Sequence, residues 1–192
     1  MPRKQISVLI MLVIACLLLC ACTTTEALKD WSYVEVANNF GVPGTLRLKV
    51  PLNFKSIANS KLGTILIETS EGILNSTNDE PLAQGQWYVV ISPVPKNLIQ
   101  LLGSTADDVL DRLKSPISFY DNSASFGNTE LVEMIGYKAF RVTGTNIQGD
   151  TLMAIVEMDK AYLVINALTA SGEKDLFEPV LLSMIKSAEY IP

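Results

Sequence analysis

The sequence contains no histidine, and its three cysteines all lie within the first 22 of its 192 residues. Without imidazole, the chain lacks the commonest general base and the Ser-His and Cys-His nucleophile pairs. A domain that follows Cys22 also has no thiol, so it can form no internal disulfide and no zinc site built on imidazole or thiolate. These absences exclude most nucleophilic hydrolases and zinc enzymes, and they leave carboxylates as the raw material for catalysis.

Basic residues are in the minority, with 15 Lys and Arg against 20 Asp and Glu. Arg3 and Lys4 belong to the N-terminal segment, so removing residues 1–21 leaves 13 basic against 20 acidic residues and a formal net charge of −7. An acidic surface neutralises few phosphates and is not drawn to anionic lipid. We therefore expect no nucleic-acid partner and no polybasic membrane attachment.

The N-terminal segment has the pattern of an export signal. Arg3 and Lys4 form a basic head, and residues 6–19 form an apolar run shorter than the ~20 residues of a membrane-spanning helix. The run ends in Leu19-Cys20-Ala21-Cys22 and becomes polar immediately afterwards. This ending resembles the lipobox of bacterial lipoproteins. The resemblance implies that residues 1–21 are a signal peptide and that Cys22 is lipidated and becomes the first residue of the mature protein.

Two other cysteines compete with Cys22 as lipidation sites. Cys16 follows Val-Ile-Ala, but cleavage there would leave the apolar residues 17–19 at the mature N-terminus. Cys20 follows Leu19, which is too large for the position before the cleaved bond. We therefore predict lipidation at Cys22, and two or three acyl chains there suffice for stable anchoring. Because Thr23 rather than Asp follows Cys22, the outer membrane is the expected destination in an organism with two membranes.

Beyond the signal, 171 residues remain, which is enough for one domain with its own core. We expect the lipidated cysteine, a polar tether and a first turn over residues 22–44, and a single domain over residues 45–192.

Apolar residues alternate with polar ones, or run together, in segments that predict strands. The predicted strands cover residues 33–36, 45–50, 64–68, 86–91, 131–134, 137–143, 151–158 and 161–168. Phe54 and Ile57 are expected to fold back onto the core. Several of these strands are apolar on both sides, which predicts helices on both faces of an antiparallel sheet.

Two helices are predicted from spacing and capping. The first begins at the N-cap Ser104 and ends at Lys114, before Ser115-Pro116, with a buried stripe of Ala106, Val109, Leu110 and Leu113. The second lies within residues 173–187. Its predicted apolar face comprises Leu176, Phe177, Val180, Leu181, Met184 and Ile185. Pro179 predicts that its regular part begins near Glu178.

Residues 135–144, Ile-Gly-Tyr-Lys-Ala-Phe-Arg-Val-Thr-Gly, open an apolar hairpin that is followed by the terminal helix. Together with the strand ending at Val50-Pro51 and the aromatic Phe54, this order resembles the Mog1/PsbP-like superfamily, which includes an extrinsic photosystem II subunit and bacterial lipoproteins of the DcrB type. The resemblance implies an α+β fold, an α/β/α sandwich around a mainly antiparallel sheet. It also implies use as a binding or assembly-helper module.

Carboxylates are the candidate catalytic groups. Asp107, Asp108 and Asp111 lie on the first predicted helix, and an acid/base dyad there competes with the simpler interpretation of a solvated helix face. Asp79 and Glu80 lie in a polar loop.

Oxygen ligands for calcium are also present in that loop, where Asn75 and Asn78 accompany Asp79 and Glu80. The loop lacks the spacing of an EF-hand, which favours a plain surface loop. No metal and no cofactor is therefore expected.

Other candidate binding residues are cationic or aromatic. Arg141 lies within a strand and is either a ligand for an anion or part of a solvated face. Trp31, Trp87 and Tyr88 are candidates for an aromatic patch, although Trp87 and Tyr88 point to opposite faces of one strand.

The leading functional hypothesis is a lipid-anchored extracytoplasmic binding or assembly-helper lipoprotein without catalytic chemistry. Its expected partners are the membrane, through the lipid on Cys22, and a protein or envelope component. An acid-residue hydrolase and a small-solute-binding lipoprotein are the alternatives. A deep pocket with two converging buried carboxylates favours the enzyme, whereas a filled core with exposed apolar residues favours partner binding.

Overall fold

The computed structural model describes residues 30–37, 44–61, 63–69, 80–102, 105–120, 123–159 and 161–191. The predicted lipidation site Cys22 lies outside these ranges, as do Asn75, Asn78, Asp79 and the predicted N-cap Ser104.

In the described ranges the chain forms strands and helices in a mixed order. The strands are β1 Trp31–Ala37, β2 Thr45–Pro51, β3 Lys55–Asn59, β4 Thr64–Glu68, β5 Trp87–Pro95, β6 Ser125–Phe126, β7 Glu130–Met134, β8 Tyr137–Asn146, β9 Gly149–Glu157, β10 Ala161–Thr169 and β11 Glu189–Ile191. The helices are α1 Lys96–Leu102, α2 Ala106–Tyr120 and α3 Lys174–Lys186.

Two antiparallel sheets organise the domain. The larger one has the order β3-β4-β5-β10-β9-β8-β6, with β7 paired to the same strand as β6, and the smaller one has the order β1-β2-β11. Tyr137–Asn146, Gly149–Glu157 and Ala161–Thr169 pair in succession, which confirms the predicted meander. Strand β9 ends at Glu157 and β10 begins at Ala161, and the backbone N–H of Met158 donates to the carbonyl oxygen of Ala161 at 3.0 Å across the turn between them.

Apolar residues cover both faces of the large sheet. On one face, α3 and the small sheet enclose the main core, in which Leu46, Ile91 and Leu181 are fully buried. On the other face, Ile99 of α1 and Leu110 of α2 pack with strand residues in a second cluster. The predicted α+β fold with helices on both faces is confirmed, and the small sheet is an addition to the layer that holds α3.

Both longer helices continue through a proline where the sequence predicted a boundary. The first extends past Pro116 to Tyr120, and the last begins at Lys174 and contains Pro179. A proline inside a helix removes one hydrogen bond and costs about 3 kcal/mol. In α3, Phe177 before the proline and Leu181 after it are both buried in the main core. Packing of both halves against one core holds the helix continuous.

Strand β5 also continues past a predicted boundary, through Pro93 to Pro95. Its neighbour β4 stops pairing at the Ile65–Ile91 position, so the later residues have a strand on one side only. A proline is tolerated there because an edge position needs no donor on the open side.

Three residues that were predicted to be buried are exposed: Ile57, Leu113 and Leu176. These predictions were wrong because an apolar pattern indicates which side of a strand or helix faces the core. It does not indicate how far the neighbouring layer extends, and here that layer does not cover these three side chains. No helix among the described residues has the length and apolar character that crossing a membrane requires.

Candidate functional site

An open cleft of about 370 Å³ lies where β6, β8 and β9 meet the start of α3. Its lining is polar and consists of Ser125, Gly127, Thr143, Gly144, Thr145, Asp150 and Lys174. We call this feature the polar cleft. It combines hydroxyl groups with one cation and one anion, a set that donates and accepts hydrogen bonds in many directions.

Strand register brings the hydroxyl groups to one face. Thr143 and Thr145 alternate along β8, and Thr145 pairs with Ser125 on one side and with Asp150 on the other. Residues of the same parity, such as Ala139, belong to the main core. The polar cleft therefore opens on the face that α3 covers, beside Lys174, the first residue of that helix.

Gly144 allows β6 to approach β8 at this site. A Cβ atom on Gly144 would lie 2.4 Å from the carbonyl oxygen of Ser125 and 2.5 Å from Cδ1 of Phe126. Real Cβ atoms do not tolerate such distances, so a larger residue would displace the β6 wall of the cleft. Glycine is required here by close approach and not by a positive φ angle.

The two charged residues of the cleft have neighbours in the turn before α3. The Asp150 carboxylate accepts a hydrogen bond from the backbone N–H of Gly172 at 2.9 Å, in a turn where Gly172 has a φ of 81°. The Lys174 ammonium lies 4.0 Å from the carboxylate of Asp175, which is almost fully exposed. A surface pair of this length contributes little, so Lys174 can reorient towards a ligand.

Arg141 lies two residues before Thr143, on the same face of β8, and it forms ion pairs within the protein. Its Nη1 donates to Glu178 of α3 at 2.6 Å, and its Nη2 donates to Glu130 of β7 at 3.3 Å. Glu178 is four residues after Lys174, so both face β8 from the same side of α3. Arg141 thus joins the helix to the sheet, which neither of the two sequence interpretations anticipated.

The acidic residues of α2 do not reach the polar cleft. Helix α2 covers the opposite face of the large sheet from α3. Asp111 accepts hydrogen bonds from Lys114 at 2.5 Å and from Thr129 at 2.9 Å. These hydrogen bonds lower the pKa of its carboxyl group, and the one from Lys114 has the larger effect. Asp111 is therefore part of a surface ion pair, as the interpretation of a solvated helix face anticipates.

Catalysis by a carboxylate pair needs two acids on either side of a reacting bond. Among the described residues that line the polar cleft, Asp150 is the single carboxylate. In the part of the chain that the structure describes, no group of three or more acidic residues is arranged to hold a metal ion. Glu80 is exposed.

Two of the three candidate aromatic residues are separated by the sheet. Trp87 is only 8% exposed and packs between Phe54, at 4.4 Å between ring centroids, and Phe177, at 3.9 Å. Tyr88 points to the other face, where burial raises the pKa of its phenol. Trp31 is partly buried against the main core. Trp87 is therefore a core residue and does not belong to a binding patch.

Sequence reasoning missed the polar cleft because its residues come from four separated segments. The one local signal is the alternation of Thr143 and Thr145 around Gly144 at the end of a predicted strand. Strand pairing, which no local pattern specifies, adds Ser125 and Asp150.

No protein-family profile matches the sequence, and no curated protein is detectably similar to it in sequence. Among solved structures, the cyanobacterial PsbP (CyanoP) of Synechocystis sp. PCC 6803 superposes with a TM-score of 0.50 at 15% identity, covering 83% of this chain and 93% of that one. LpqN of Mycobacterium tuberculosis, described as involved in cell envelope biogenesis, has a TM-score of 0.46 at 15% identity over 88% and 97% of the two chains. The Ran-binding protein Mog1p of Saccharomyces cerevisiae has a TM-score of 0.41 at 11% identity over 83% and 96%. The likeness to CyanoP concerns the fold alone. The chain has an α+β fold similar to that of CyanoP.

Proposed function

We propose that this protein is a lipid-anchored extracytoplasmic binding domain without catalytic chemistry, held at a bacterial membrane by acyl chains on Cys22. The observation that carries the proposal is the N-terminal segment, in which a basic head and an apolar run end in Leu19-Cys20-Ala21-Cys22. Export by this route places the domain outside the cytoplasm. In an organism with two membranes, the outer membrane is its destination.

The chemistry of the domain supports binding rather than catalysis. The whole sequence lacks histidine, and the segment after Cys22 lacks cysteine. Among the residues described, the polar cleft offers one carboxylate, and Arg141 is held by Glu178 and Glu130. The protein acts by holding a partner at the membrane surface, and a protein or an envelope component is the partner class that we propose.

Replacing the anchor residue tests this proposal. In a bacterial host, Cys22→Ser is expected to move the protein into the soluble extracytoplasmic fraction or to leave it as the unprocessed precursor. The matched controls Cys16→Ser and Cys20→Ser keep Cys22 and should remain in the membrane fraction with full labelling by radioactive palmitate. Labelling of Cys22→Ser at the wild-type level would refute the assignment.

Partners are identified by crosslinking in intact membranes followed by mass spectrometry, and repeated failure to recover one would count against a binding role.

A second candidate function is binding of a small polar solute, and the polar cleft favours it. Hydroxyl groups at Ser125, Thr143 and Thr145, with Lys174 beside them, match a ligand that carries several hydroxyl groups or an anionic group. Titration with sugars, amino acids and sugar phosphates while the unfolding temperature is monitored separates this candidate from the first. A stabilising ligand whose effect is lost in Lys174→Met would establish it.

A further inference from the structure

One end of the domain combines the start of the described chain with exposed leucine side chains. Leu52, in the turn between β2 and β3, is 63% exposed, and its backbone N–H donates to the carbonyl oxygen of Asp30 at 2.8 Å. Asp30 is the first described residue, directly before β1. The exposed leucine therefore lies where the N-terminal segment meets the domain.

A second exposed leucine lies at the same end. Leu176, in the first turn of α3, is 75% exposed. It precedes Phe177, whose ring contacts Trp87, and Trp87 in turn contacts Phe54, two residues after Leu52. The three contacting aromatic rings thus connect the segments that carry the two leucines. We call the surface formed by Asp30, Leu52 and the first turn of α3 the tether end.

The turn between β8 and β9 reaches the same end of the large sheet. Asp150, near the start of β9, pairs with Thr169 at the close of β10, and α3 follows directly. Ile147, in the turn before β9, is 46% exposed. An apolar side chain is therefore presented at this end of the large sheet as well.

The length of the tether limits how the domain can be oriented. Asp30 lies eight residues after Cys22 in the sequence. This tether spans at most about 28 Å when it is extended and about 16 Å on average when it is flexible. A domain of this size has a radius of gyration of about 15 Å and is about 40 Å across. An anchored domain consequently keeps the tether end nearer to the bilayer than its opposite end.

Charge at the tether end argues against electrostatic attachment. Asp30, Glu173 and Asp175 lie there together with Lys55 and Lys174, so cations are not in excess among these residues. Anionic lipid attracts a surface only where basic residues dominate. Contact with a membrane at this end has to come from apolar side chains, each of which gains free energy on leaving water.

We propose that the tether end rests on the bilayer that holds the acyl chains, with Leu52 and Leu176 inserted at the interface and Ile147 beside them. The proposal depends on the lipidation of Cys22 proposed above. The anchor and the leucines then act together, since the tether raises the local concentration of the apolar contact at the membrane. Such a contact fixes the orientation of the domain and turns the far ends of the large sheet away from the membrane.

Spin labels at single cysteines test the orientation. In the mature protein the thiol of Cys22 is blocked by its lipid, so Leu52→Cys and Leu176→Cys each carry one label. The matched control is Leu131→Cys, because Leu131 is 64% exposed but lies within β7, away from the tether end. All replaced side chains are exposed, so the fold tolerates the changes, and thermal unfolding verifies this.

The lipidated variants are reconstituted in phosphatidylcholine vesicles and isolated by flotation. We expect the ratio of oxygen to nickel-chelate accessibility to be at least threefold higher at residues 52 and 176 than at residue 131. Added salt should leave this ratio unchanged, because the contact is apolar. Equal ratios at the three sites in floating vesicles would overturn the proposal, and dipolar broadening between labels would assign the tether end to a second copy of the chain instead. If the wild-type protein does not float, the lipid anchor itself is refuted.

Discussion

Ile135 adopts a left-handed backbone conformation, with a φ of 57°, in the turn between β7 and β8. Met134 pairs with Tyr137, so the turn has two residues, and the second, Gly136, has a φ of 85°. Positive φ at both positions is the geometry that favours Asn-Gly, whereas a β-branched residue is strained there by about 1–2 kcal/mol. The side chain of Ile135 packs against the main core, which offsets part of this strain.

We predict that Ile135→Asn raises the free energy of unfolding by about 0.5–1 kcal/mol, since relief of strain exceeds the loss of partial packing. Urea unfolding followed by tryptophan fluorescence measures the change. Gly136→Ala is the control. A Cβ atom there meets no atom within 4 Å, so this variant reports backbone strain alone and should lose about 1 kcal/mol. A destabilised Ile135→Asn together with a neutral Gly136→Ala would contradict this account of the turn.

At the scale of elements, the ion pair between Arg141 and Glu178 connects β8 to α3. The two side chains are about 29% and 21% exposed, and their N–O distance is 2.6 Å. Glu130, which also contacts Arg141, is 62% exposed at 3.3 Å. A short, partly buried, charge-assisted hydrogen bond contributes more than an exposed pair, because water screens it less.

We predict that Glu178→Ala lowers the free energy of unfolding by about 1–2 kcal/mol, whereas Glu130→Ala lowers it by less than about 0.5 kcal/mol. Chemical denaturation of the two variants measures the difference. The effect of Glu178→Ala should be larger at low salt than in molar salt. Equal losses in both variants would show that Arg141 does not hold α3 through Glu178.

The sequence predicts strands better than helix limits in this chain, for a physical reason. Alternation in residues 45–50 reports directly which side chains face the core, and Leu46 and Leu48 are fully buried. Helix limits depend on tertiary packing. In α3 this packing keeps the helix continuous at Pro179, although a proline locally favours a break in the helix. Leu176 lies on the predicted apolar face of α3, but none of the described strands and helices covers it, so it is exposed.

At the scale of the whole molecule, the predicted lipidation site Cys22 and the polar cleft depend on the sequence in different ways. The signal for lipidation at Cys22 consists of adjacent residues, because a processing enzyme recognises a linear segment. Lipidation remains a prediction, since Cys22 lies outside the described residues. The polar cleft arises from pairing between strands that are distant in sequence, so it becomes visible only in the folded chain. The tether end combines both, since a local tether fixes the position of a surface that folding assembles.

Both the extracytoplasmic location and the membrane-facing orientation of the domain depend on the lipid anchor at Cys22. The most direct measurement is the mass of the N-terminal tryptic peptide of the protein purified from bacterial membranes. We expect a peptide of residues 22–29 that begins at Cys22 and carries a thioether-linked diacylglycerol, with or without an added N-acyl chain. A mature N-terminus at any other residue, or a Cys22 with a free thiol, would contradict this expectation.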